Sequence, residues 1–229
     1  MLRDLKEGLR EAVYFVWLAL RALYFWRREP PIQTPADLVT FVETRSKYVS
    51  QRTLFGYVKA RAGTRYVSLF EDEVFAASVD AAKWEVYLAC LSDLAVYAVA
   101  AVGRGARVDS EGLDGLALTA FRAGISVEEL PAQRGRGFAG DEKAFASRVD
   151  AISWPDVPAD ETAFAGSLDA LVHWAPVADE LKQYDVEALR NSMRFQWKHV
   201  RDQLTSLLDA KAVVSDAGLE AVSAGSSES

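Results

Sequence analysis

The sequence predicts an all-α fold: a single helical, bundle-like domain of about seven or eight helices, with an N-terminal amphipathic helix and a disordered C-terminal tail. Two observations predict it. Of 229 residues only 7 are proline and 14 glycine, while Ala, Leu, Glu, Arg and Lys recur at spacings of three and four, the period of a helix. Half of the chain is hydrophobic, enough to bury a substantial core. The spacing and turn signals divide it into an interfacial helix over 1–29, a helical domain over 34–213 and a tail over 214–229.

Residues Leu2 to Arg28 read as one helix, stopped by Pro30 and Pro31. From Ala12 to Trp26 the only charge is Arg21. Those fifteen residues would span roughly 22 Å as a helix, short of the ~30 Å hydrocarbon layer of a bilayer. Asp4, Glu7 and Glu11 argue against a signal peptide. Tyr14, Trp17, Arg21 and Tyr24 fall on one stripe, opposite a face of Leu5, Leu9, Val13, Val16, Leu20 and Leu23. Aromatics and arginines on the polar side suit a helix lying in the headgroup plane, with Trp26, Arg27 and Arg28 at its basic end. Burial in a bundle core and a true span are the alternatives.

Thr34, Pro35 and Asp37 supply an N-cap, a first-turn proline and an early carboxylate for a helix running to about Ala62, before Gly63. Ser68 and Glu71 predict a capping box for a long third helix ending near Val102. Six basic residues and no acid lie from Arg45 to Arg65. Arg45, Arg52 and Lys59 repeat every seven residues beside Phe41, Tyr48 and Phe55, on a face expected to point inward. An antiparallel hairpin over 34–102 would set them against acids, predicting Arg45 with Glu85, Arg52 with Asp80, and Lys59 with Asp72. Lys47, Arg61 and Arg65 are left as candidate contacts for an anion such as a lipid phosphate.

The third helix continues as VYLACLSDLAVYAVAAV, whose one charge is Asp93. Its alanines favour close helix packing and a carboxylate is costly in lipid, so it reads as a core helix with Asp93 paired to an arginine or a helix-terminal donor. Cys90 lies in the same run. A lone cysteine forms no internal disulfide and behaves there as a small hydrophobe, consistent with a reducing cytoplasm.

Beyond Gly103, glycines break shorter helices around Leu113 to Arg122 and Val127 to Leu130, with Ser126 as an N-cap and the RGRG element of Arg134 and Arg136 as a loop. Helices follow from Asp141 to Ser153, Asp160 to Trp174, Pro176 to Gln183 and Val186 to Ala212, the last capped by Asp185. WPDVP is the clearest connector. Disorder is expected from Ser215 onward.

No catalytic motif stands out. The chain lacks a G-x-S-x-G elbow and a phosphate-binding G-x-x-x-x-G-K. His173 with Asp169 and His199 with Asp202 would make a two-His, two-carboxylate metal site only if their helices met. A triad would need one of these histidines with a serine such as Ser167, Ser192 or Ser206. No catalytic residue, metal or cofactor is therefore expected. A net charge of −7 argues against nucleic acid as main partner.

The stretches FVETRSKYVSQRTLFGYVKARAGTRY and NSMRFQWKHVRDQL loosely resemble a family of uncharacterised bacterial helical proteins sometimes labelled esterases. The resemblance implies an all-helical fold and a hydrolase label, and it maps no catalytic residue onto this chain. The residues themselves favour a non-enzymatic, membrane-peripheral adaptor or assembly factor at the inner face of a membrane. It would bind lipid or a membrane protein and could dimerise through its first helix. A hydrolase-like enzyme or carrier for an apolar ligand is the alternative.

Overall fold

The computed structural model describes residues 30–106, 108–126 and 137–219, and these form an all-α, bundle-like fold. The elements are α1 (Pro35–Ala62), a 3-10 turn (Gly63–Arg65), the single-turn α2 (Tyr66–Leu69), α3 (Glu73–Gly105), α4 (Ser110–Ile125), α5 (Ala139–Asp150), 3-10 turns at Trp154–Asp156 and Glu161–Phe164, α6 (Ala165–Trp174), α7 (Asp179–Leu207) and α8 (Ala210–Asp216). The helix expected over Leu2–Arg28, the one over Val127–Leu130, the RGRG loop and residues 220–229 lie outside the described residues.

Helix α1 begins as its sequence dictates. Thr34 accepts from the Asp37 N–H at 3.1 Å and Asp37 accepts from the Thr34 N–H at 3.0 Å, a reciprocal capping box. Its buried face is Leu38, Phe41, Val42, Ser46, Val49, Ser50, Thr53, Leu54, Tyr57 and Val58; of the expected Phe41, Tyr48 and Phe55 stripe Phe41 is buried, but the face is rotated away from half-buried Phe55 and from Tyr48, which is 45% exposed. Small polar residues can face inward because the Ser50 and Thr53 hydroxyls donate to backbone carbonyls of their own helix. That rotation turns Arg52 and Lys59 out to solvent.

Helix α3 starts at Glu73 because Asp72 caps it, accepting from the Val74 and Phe75 N–H groups at 2.8 and 3.1 Å. The Ser68 to Glu71 capping box does not form; the Ser68 hydroxyl donates to Arg65 O instead. The helix also runs through Gly103 to Gly105. Those glycines permit contact rather than stop the helix: a Cβ at Gly105 would lie 2.6 Å from Ala210, and one at Gly103 would lie 2.9 Å from Leu113.

Helix α3 packs against α1, α4, α6 and α8 and is the central element. Along it Val86, Cys90, Leu91, Leu94, Ala95, Ala98, Val99 and Val102 are fully buried. It is long and apolar enough to cross a membrane by length and composition, yet 78% of its most apolar window is buried inside the protein.

Further corrections come from capping. Asp109 caps one continuous helix over Ser110–Ile125, and Ser126 is its C-cap. Asp185 caps nothing: α7 runs unbroken from Asp179 through it to Leu207. A break follows at Leu208, which forms an isolated parallel bridge with buried Ile32 through Ile32 N to Leu207 O at 2.8 Å and Asp209 N to Ile32 O at 2.9 Å. Asp209 then caps α8, whose Val213 and Val214 are buried, so the ordered body extends past the expected boundary at 213.

Candidate functional site

The main polar cluster inside the body is built around Asp93. Burying a carboxylate in an apolar helix requires donors for both oxygens. Arg148, in the last turn of α5, donates from Nη1 to Asp93 Oδ1 at 2.9 Å and to Ser92 Oγ at 2.7 Å. The Ser167 N–H, in the first turn of α6, donates to Asp93 Oδ2 at 2.7 Å. Gly166 makes this approach close, since a Cβ there would sit 3.1 Å from Asp93 Oδ1.

The network continues through Ser167, which is fully buried. Its hydroxyl donates to Phe164 O at 2.9 Å and accepts from the Trp197 indole N–H at 3.1 Å. Trp197 is stacked on Phe164, ring centroids 4.3 Å apart. One chain of polar contacts thus ties α5, α3, α6 and α7 together. Asp93 forms the floor of an open cleft of about 400 Å³, with Arg148, Ser153, Asp156, Thr162 and Gly166 on its walls.

Burial pushes the Asp93 carboxyl up from the usual aspartate range, and the Arg148 charge and Ser167 donor oppose that shift. One turn earlier, burial and then the Asp93 charge push the Cys90 thiol well above its ordinary value. The thiol therefore stays protonated, the unreactive form. Ser167 Oγ is engaged on both sides, the Ser153 hydroxyl donates to Asp156 Oδ2 at 2.6 Å, and no histidine is among the described residues that line the cleft.

A second polar cluster joins α1 to α7. The Tyr57 hydroxyl donates to Asp185 Oδ2 at 2.8 Å, and Arg61 pairs with the same carboxylate. Arg61 first, then Tyr57, holds Asp185 below the usual aspartate range; burial, and then Asp185, pushes the Tyr57 hydroxyl up. A groove of about 380 Å³ runs beside this cluster between Gly56 and Ala60 of α1 and Ala188 and Ser192 of α7.

The residues singled out from sequence are dispersed. Lys47 pairs with Glu43 and Arg61 with Asp185, so two of the three candidate anion contacts already carry a counter-charge; Arg65 is exposed in its 3-10 turn. In the expected ladder, Asp80 pairs with Lys83 of its own helix at 3.0 Å, Asp72 serves as a cap, and Arg52 and Lys59 are exposed. Arg45 lies over the Phe41 ring at 5.4 Å, and Glu85 is half-buried on α3. The hairpin helices nevertheless meet, with Lys47, Ser50 and Gln51 across a shared groove from Lys83, Trp84 and Tyr87. Tyr14, Trp17, Arg21, Tyr24, Trp26, Arg27 and Arg28 lie outside the described residues.

Both histidines are exposed. His173 O accepts from Lys182 Nζ at 3.1 Å, near the start of α7, whereas His199 sits seventeen residues further along that helix. That separation is roughly 25 Å of helical rise, so the two cannot share a metal. No group of three or more His, Cys, Asp or Glu side chains among the described residues is placed to hold a metal ion. Ser206 is exposed and donates to Gln203 O, and Ser192 lines the α1–α7 groove.

Arg148 and Trp197 were not distinguishable in the sequence: each looks like one more member of an amphipathic helix. The one available signal was Asp93, whose isolation in an apolar run demands a partner without naming it. No family model matches the chain, and no curated protein or solved structure matches it.

Proposed function

We propose that the protein is a non-enzymatic, membrane-peripheral helical adaptor whose N-terminal segment makes the membrane contact. The observation that carries this reading is the run from Ala12 to Trp26, aromatic-rich and bearing the single charge Arg21, on a chain whose other comparably apolar helix is already accounted for. Helix α3 is the core of the body and holds a buried, paired aspartate. An aromatic stripe punctuated by arginines suits the headgroup region, where each basic residue adds roughly 1 kcal/mol on an anionic surface.

The hydrolase alternative has less support, because both histidines are exposed and neither lines the Asp93 cleft nor the α1–α7 groove. An apolar-ligand carrier would need a closed apolar cavity, and both of these recesses are open and carry charged walls.

Flotation with anionic and neutral vesicles tests the reading. The full chain should float with anionic vesicles, less so at high salt, and a chain lacking residues 1–29 should stay at the bottom. Binding retained after that deletion would remove the anchor role.

A further inference from the structure

We propose that α7 is a homodimer interface in which two copies pair antiparallel about Ala188. One side of α7 is core: Leu189, Met193, Trp197, Val200 and Leu204 are buried. The opposite side is apolar as well. Leu181 is 46% exposed, Tyr184 79% and Phe195 70%. With Ala188 and Ser192, these residues recur at helical spacing and form one continuous stripe.

The stripe is complementary to its own reverse. Leu181 and Phe195 are each seven residues from Ala188, and Tyr184 and Ser192 are each four. A twofold axis at Ala188 therefore sets leucine against phenylalanine and each tyrosine ring over a serine, with the smallest side chain at the crossing. Beside the stripe lies the α1–α7 groove, and a Cβ placed on Gly56 in its wall would meet nothing within 4 Å. That space accommodates the Tyr184 ring of the second copy.

Charge selects the same partner and direction. Along the flank of the stripe, exposed Glu180 stands at one end and exposed Arg194 and Lys198 at the other. Antiparallel pairing brings Glu180 of each copy between Arg194 and Lys198 of the other. The contact is isologous, the form that closes at two copies, and apolar anchors with a charged margin are what such surfaces use.

The test uses the full chain carrying Ala188→Cys under mild oxidation, at tens of micromolar. A residue on the axis meets its own copy, so a disulfide-linked dimer is expected; Cys90 is fully buried and gives none. This cross-link reports the α7 contact alone, so dimerisation through residues 1–29 does not produce it. In sedimentation, Tyr184→Glu with Phe195→Glu should weaken the wild-type dimer at least ~100-fold with an unchanged helical spectrum. Glu180→Arg should weaken it as well, and adding Arg194→Glu and Lys198→Glu should restore it. Absence of the cross-link, a monomeric wild type, or a dimer indifferent to the Tyr184 and Phe195 changes would overturn the proposal. A stripe that binds a different protein would appear as the second of these outcomes.

Discussion

Helices α3 and α7 are the two longest after each other in the body, 33 and 29 residues, and they use apolar side chains in opposite ways. Around α3 the apolar residues face α1, α4, α6 and α8, and the single charge among them is neutralised in place. Around α7 one side enters the core, and the other carries Leu181, Tyr184 and Phe195 into solvent. An apolar run is thus a poor guide to function until its surroundings are known. The more hydrophobic helix is the structural one, and the more polar helix keeps an unused apolar face.

The comparison breaks most severely at the residues that join the two helices. Trp197→Ala removes a buried indole stacked on Phe164 and the donor to Ser167 Oγ, and should cost ~3–5 kcal/mol in chemical denaturation. A loss under ~1 kcal/mol would mean that α7 does not depend on this contact.

Asp93→Ala should cost ~3 kcal/mol. It leaves Arg148 without its counter-charge and the Ser167 N–H without an acceptor, while the partial exposure of Arg148 keeps the figure near the lower end of buried pairs. Unchanged stability would make the Asp93 network incidental to the fold.

A smaller effect concerns pH, and here two aspartates run in opposite senses. Asp185 is held below its ordinary value in the folded state, so it contributes stability above the unfolded value, about pH 4, that is lost as pH falls through the lowered one. Asp93 is raised, so its contribution is largest in acid and declines as pH climbs through the raised value. Asp185→Asn should therefore flatten the acid limb of a stability profile, and Asp93→Ala should steepen it. The same slope in both variants would contradict the assignment.

The smallest expected change sharpens the comparison. Tyr184→Ser and Phe195→Ser should leave monomer stability within ~0.5 kcal/mol of wild type, because neither ring contributes to the core. Thermal melts at low concentration, where association is absent, are the measurement. A loss above ~1 kcal/mol would return this face to the folding core.

Much of the fold was legible from residues alone because its signals are local. The Thr34–Asp37 box, the core character of α3 and the need of Asp93 for partners follow from spacing and charge. Misreadings arose where two local rules compete. Asp72 outcompetes Ser68 as a cap because its carboxylate accepts from two free N–H groups, and Gly103 and Gly105 serve packing where a helix end was expected. Asp185 looks like a cap, but Tyr57 and Arg61 engage it from another helix. Two rungs of the ladder failed on rotation: Ser50 and Thr53 satisfy their hydroxyls within α1, so these polar residues face inward and Arg52 and Lys59 face out. Arg148, Ser167 and Trp197 come from segments far apart in sequence, and no local rule joins them.

We propose a division of labour in which residues 1–29 make the membrane contact, while α3 is core. Hydrogen exchange on the full chain, with and without anionic vesicles, tests it most directly. The account predicts new protection confined to residues 1–29, while the amides from Val86 to Val102 exchange equally slowly in both conditions. Altered exchange across α3, with none in residues 1–29, would contradict it.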